Sequence, residues 1–233
     1  MGERVKMYRW LMLMIFMIYG LNGFVQDRFR AGILPKINVS AKISGDLKLT
    51  GNIESRNLLY DNPGNGEGKF DYKIQVVDAA VYLSLKTHLN HSLTGGYLYR
   101  SREDQIFHRF IQQYSIVNNL DAFRLGHRFA SDQTLDPDGN WEIRARYRIT
   151  AEKPLSGDNV DPKEFYFKAS NEYLGEFENN ETGLEIRLVA LIGYEVDKQN
   201  KVEIGPDFRM SDITYNGINQ VLWFTLSWYF RVN

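Results

Sequence analysis

From Trp141 to Glu152 the chain alternates residue by residue between two chemistries. Trp141, Ile143, Ala145, Tyr147, Ile149 and Ala151 form one set; Glu142, Arg144, Arg146, Arg148, Thr150 and Glu152 form the other. A helix would scatter the three arginines around its circumference, whereas a strand gathers them on one face. Such a strand needs an apolar environment on one side and a polar one on the other. It also needs sheet neighbours divided in the same way.

The rest of the chain offers those neighbours. Leu184, Ile186, Leu188, Ala190, Ile192 and Tyr194 share a face, as do Leu222, Phe224, Leu226, Trp228 and Phe230 against Thr225, Ser227 and Arg231. A shorter set, Phe123, Leu125 and Phe129, opposes Arg124 and Arg128. Turn-forming residues separate the runs. Ser44-Gly-Asp46, Leu89-Asn90, Asn118 to Asp121 and Asp197 to Asn200 read as short connections. Asn57 to Asp71, Asp132 to Asn140, Phe177 to Glu181 and Ser211 to Asn219 read as long ones. Alternating short and long connections are what periplasmic turns and extracellular loops produce. Strand candidates fall near 31–44, 46–60, 72–87, 91–103, 106–117, 121–132, 140–153, 164–175, 182–197, 201–212 and 218–232. Bacterial single-chain barrels usually have an even strand number, so ten or twelve are expected and one of these boundaries is misplaced. The 107–117 run is the weakest candidate, and Pro206 sits badly inside a strand.

Arg4, Lys6 and Arg9 precede an apolar run from Trp10 to Tyr19. A basic flank and about ten apolar residues suit a cleaved secretory signal; a membrane-spanning helix needs roughly 20. Gly20 and Gly23 put the cut between Gly23 and Asp27, giving a signal peptide at 1–25 and one domain at 26–233. Removing it shifts the net charge from −1 to about −3, which offers nothing to a nucleic acid. Without cysteine the exported chain has no disulfide, no Cys-ligated metal and no lipidated N-terminal Cys. No later segment is apolar enough for a membrane helix, so any spanning structure must be a closed β-barrel. A soluble periplasmic β-sandwich is the alternative. Candidates of 10–15 residues exceed the usual strand length, and aromatics cluster near strand ends (Tyr97, Tyr99, Trp141, Trp228), where membrane interfaces would lie. The expectation is an all-β, antiparallel, up-and-down transmembrane barrel in a Gram-negative outer membrane.

Several short motifs then bear on kinship: His127-Arg-Phe129, Arg144-Ala-Arg-Tyr-Arg148 with Pro154-Leu155, Phe165 through Glu172, Glu185-Ile-Arg187 with Gly193-Tyr194, and a terminal strand rich in aromatics. In these the chain resembles an outer-membrane β-barrel family catalogued only as a domain of unknown function (domain of unknown function 2490). Gly205-Pro206 departs from the pattern, where Gly followed by an aromatic is expected. So does the ending Arg231-Val-Asn233, where assembly signals finish on Phe; Phe230 stands three residues early. The resemblance implies fold and address, and no activity.

The inward face is expected to carry a charge network of Arg124, Arg128, Arg144, Arg146, Arg148 and Arg187 with Glu142, Glu152, Glu172 and Glu185, joined by Arg100, Arg102, Arg109 and Asp78. Like charges opposite one another destabilise a sheet pair, and arginine cannot shed its proton. Internal arginine–carboxylate forks would largely block a narrow lumen. Arginines left over would instead line an anion-selective, porin-like path for acidic small molecules or oligosaccharides. A third class, a lipid hydrolase or acyltransferase, finds no Gly-x-Ser-x-Gly and only four histidines, with His127 on the apolar parity. The chain is therefore expected to be non-enzymatic and without cofactor. Two weak metal candidates remain. His88 and His91 flank a turn, and Asp132, Asp136, Asp138 and Asn140 share one loop with oxygen ligands that suit Ca²⁺. Ordinary turn formation explains the second group equally well. Expected partners are outer-membrane lipids, the barrel-assembly machinery through the C-terminal aromatic strand, and anionic small molecules. The loops at 57–71 and 132–140 are the expected sites of contact outside the cell.

Overall fold

A computed structural model describes residues 26–64, 66–121, 123–178, 181–213 and 218–232. The segment read as a signal peptide lies outside the described residues. Eleven strands follow one another: β1 (Gln26–Lys42), β2 (Leu47–Asn62), β3 (Lys69–Lys86), β4 (His91–Arg102), β5 (Gln105–Asn119), β6 (Arg124–Leu135), β7 (Trp141–Pro154), β8 (Phe165–Glu178), β9 (Glu181–Glu195), β10 (Asn200–Ser211) and β11 (Ile218–Val232). Each pairs antiparallel with the next, and β1 closes the barrel against β11.

Eleven strands stand in place of the expected ten or twelve, because every one of the eleven candidate runs is a strand. An odd number of alternating strands leaves the first and last pointing the same way, so the closing seam is parallel. It runs in register from Arg28 opposite Asn219 to Ala41 opposite Val232. The 107–117 run belongs to β5, paired on both sides. Pro206 lies within β10 opposite Phe224, but the ladder to β9 lacks rungs at Gly205 and Pro206. Pro206 has no N–H to donate there, and an added Cβ on Gly205 would overlap the carbonyl oxygen of Ala190.

The predicted faces hold throughout. Ile143 is 50% exposed and Arg144 6%. Leu226 and Trp228 are exposed, while Thr225 and Ser227 between them are buried. A polar cluster interrupts the outer belt, where Gln112, Ser131 and Gln133 turn outward and hydrogen-bond to one another. Three histidines also face outward, each joined to a tyrosine hydroxyl on the neighbouring strand: His91 to Tyr114, His108 to Tyr97 and His127 to Tyr147.

The long connections are the second correction. β2 and β3 continue to Asn62 and from Lys69, and β6 and β7 leave only 136–140 between them. Long strands absorb what reads as loop, since the residues near strand ends are polar without being turns. The β7–β8 connection, 155–164, is longer than either and lies at the barrel end where short turns were expected. Short and long connections therefore do not sort by end.

A candidate charged lumen

Alternation brings the charged parity of every strand to one enclosed space. Its hub is Asp132 on β6, whose side chain is fully buried. Arg144, directly opposite on β7, donates to Asp132 Oδ1 from Nε at 2.8 Å and Nη2 at 2.6 Å. Arg146 donates to Oδ2, with Nε at 2.8 Å, and Arg109 Nε on β5 stands 3.2 Å from Oδ1. Arg109 also donates to Thr134 Oγ1 at 2.7 Å. One carboxylate thus faces three guanidinium groups from two strands, accepting hydrogen bonds from both arginines of β7 and pairing with Arg109 of β5. Glu142 adds a second partner to Arg144 at 3.4 Å.

A second hub forms one layer along the barrel. Arg128 and Arg148 sit directly opposite one another, the like-charge pairing expected from their parity. Glu172, opposite Arg148 on the other side, holds them together. Its Oε2 accepts from Arg148 Nε at 2.7 Å and lies 3.9 Å from Arg128 Nη2, while Oε1 accepts from Arg187 Nη1 at 3.2 Å. Arg187 also donates to Glu185. Arg124 pairs with Glu152 at 3.5 Å near the barrel mouth. Of the residues expected in the charge network, Arg124 lies at the exposed mouth, and Arg102 lines the cavity over the Phe107 ring with no ion pair among the described residues; the others lie within ion-pair distance of an opposite charge.

Three further groups complete the wall. Asp78 takes a two-point fork from Arg100, both bonds at 2.8 Å, with Arg56 bridging to Glu54. Asp207 takes a similar fork from Arg209. Glu203, fully buried, accepts from Tyr166 Oη at 2.7 Å, Lys168 Nζ at 2.8 Å and Tyr229 Oη at 3.1 Å. Apolar side chains also point inward: Leu34, Leu58, Val221 and Trp223 pack together inside the barrel.

Between these walls lies a cavity of about 800 Å³. Thirteen Arg and Lys side chains line it against nine Asp and Glu, or ten with Asp132, so its field is positive. An eight-stranded barrel is about filled by its own side chains, and three more strands leave this residual space.

The candidate calcium loop does not assemble. Asp132 belongs to the arginine hub, whereas Asp136 folds back on its own turn, accepting from Asn140 N at 2.7 Å and Asn140 Nδ2 at 3.0 Å. These bonds hold the Asp136 carboxyl below its ordinary range. Gly139, at φ 87°, closes the turn in a conformation that glycine adopts freely. Asp138 is exposed with the rest of the turn. No group of three or more His, Asp or Glu able to hold a metal occurs among the described residues. His88 and His91 lie side by side, rings 5.7 Å apart, with His91 Nδ1 bonded to Tyr114.

Sequence reading missed Asp132 as a lumen residue, although it shares the parity of Arg124 and Arg128. It also missed Trp223, whose inward direction follows from counting back two from Thr225.

No curated protein and no solved structure matches the chain at a significant level. A family model does, described as a protein of unknown function (DUF2490), over residues 20–210. That match covers most of the barrel from β1 through nearly all of β10, and the chain belongs to this family of unknown function.

Proposed function

We propose that this protein is a non-enzymatic outer-membrane barrel, exported by the signal at residues 1–25, whose lumen is largely blocked by its own ion pairs. The observation that carries the reading is the inversion of exposure: isoleucine, leucine and aromatic side chains stand outside, and arginines and carboxylates stand inside. A water-soluble domain places them the other way round, since Arg, Asp and Glu are almost never buried unless paired. Strands of 12–18 residues exceed the 9–11 that a tilted membrane strand requires. The terminal strand, with Phe224, Trp228 and Phe230, is the natural handle for assembly machinery.

The expected result is that unboiled protein extracted from outer-membrane vesicles migrates in SDS at a different position from boiled protein. Identical migration, or recovery in the soluble periplasmic fraction, contradicts the reading. A second reading, a narrow anion-selective path, is favoured by the excess of cations lining the cavity. Planar-bilayer recording separates them. The blocked barrel is silent, whereas the path gives anion-selective steps that Arg144→Ala/Arg146→Ala abolishes.

A further inference from the structure

We propose that Arg128 and Arg148 form a binding site in the lumen for phosphate or a phosphate monoester. The site rests on the geometry of the cavity, and holds whichever membrane carries the barrel.

Three carboxylates elsewhere in the lumen are fully engaged. Asp78 and Asp207 are each closed by a two-point arginine fork, and Asp132 is enclosed by three arginines. At Arg128 and Arg148 the balance reverses. Among the described residues Glu172 is the one carboxylate within ion-pair distance of either, and Arg187 already occupies its other oxygen. Arg148 reaches it through Nε alone. Arg128 stands off at 3.9 Å, and its Nη1 reaches Gln113 Oε1 only at 3.4 Å.

Both side chains also remain open to the cavity. Arg128 is 35% exposed and Arg148 31%, against 7% for Arg144 and 6% for Arg109. Strand register sets the two opposite each other, so their guanidinium groups converge on one space. Tyr82, Gln113 and Arg146 line the same cavity and supply further donors. A carboxylate presents one edge to one fork; a tetrahedral phosphate presents several, so it can engage two forks together. Bringing such an anion between two like charges relieves a repulsion the strand pair otherwise carries. The positive cavity also raises the local anion concentration.

The test uses the full barrel in detergent micelles, with inorganic phosphate and glycerol phosphate titrated calorimetrically against chloride at matched ionic strength. Saturable binding of phosphate is expected. Arg128→Gln should weaken it by about tenfold or more, the worth of one charged hydrogen-bonded contact. That variant leaves Glu172 with Arg148 and Arg187, and its shift in unboiled SDS migration verifies that it folds. Arg128→Lys, which keeps the charge and loses the fork, should fall between the two. Arg124→Gln, at the mouth, should bind within about twofold of the unaltered chain. Equal binding of glycerol phosphate assigns the site to monoesters, and its exclusion assigns it to the free ion. No saturable phosphate binding at matched ionic strength, or undiminished binding in both Arg128 variants, overturns the proposal.

Discussion

Asp132→Asn is expected to lower the unfolding free energy of the barrel by about 3–5 kcal/mol, the usual consequence of removing one partner from a buried ion pair. The substitution keeps the volume of the side chain, so the loss is electrostatic. Arg144, Arg146 and Arg109 would remain within reach of one another, buried or nearly so, with no shared carboxylate. None can lose its proton to escape. The asparagine would also turn an N–H₂ toward guanidinium donors. Urea unfolding of the refolded barrel measures the effect, and a loss below about 1 kcal/mol would mean that water reaches these arginines freely. The network need not add net stability over an apolar core of equal volume, because desolvating the charges offsets much of their attraction. It makes each member hard to remove singly.

Gly193→Ala is expected to cost about 3 kcal/mol, combining overpacking with a strained charged hydrogen bond. Gly193 lies directly opposite Tyr166, whose ring covers it. An added methyl would overlap that ring. Tyr166 is almost fully buried and its hydroxyl is held by Glu203, so the ring cannot move without breaking that bond. In a Tyr166→Ala background the same glycine substitution should cost much less, leaving a coupling of about 2 kcal/mol between the sites. Gly95→Ala is the matched control. It faces outward into open space and should change stability by less than about 0.5 kcal/mol.

The parity of the strands was legible in the sequence because a period of two is strict: one apolar residue in the wrong register would face the wrong solvent. That rule placed Arg144, Arg146, Arg148, Glu172 and Glu185 inside before any contact was known. It failed where polar character has two meanings. Asp132 reads as a loop residue beside Asp136 and Asp138, yet it lies three residues from the end of β6 and faces inward with Arg128. Asn57 to Asn62 reads as a loop and is strand. Strand number was obscured by a different cause. Closure depends on how β1 meets β11, a pairing between chain ends that leaves no local pattern, so the even count typical of bacterial barrels displaced the eleven the runs themselves indicated. Contacts such as Glu203 with Tyr166, Lys168 and Tyr229 also lay beyond reach, since they join three strands through register and shear.

In the proposed reading the apolar parity of the strands meets hydrocarbon. The chain has no cysteine, so single nitroxide labels can be placed through Ile143→Cys on β7, Leu226→Cys on β11 and Asp138→Cys in the β6–β7 turn. With the barrel in phospholipid vesicles, labels at 143 and 226 should be relaxed by dissolved oxygen and hardly by a water-soluble nickel chelate. The label at 138 should respond the opposite way. Nickel relaxation at 143 and 226 as strong as at 138 would contradict the account.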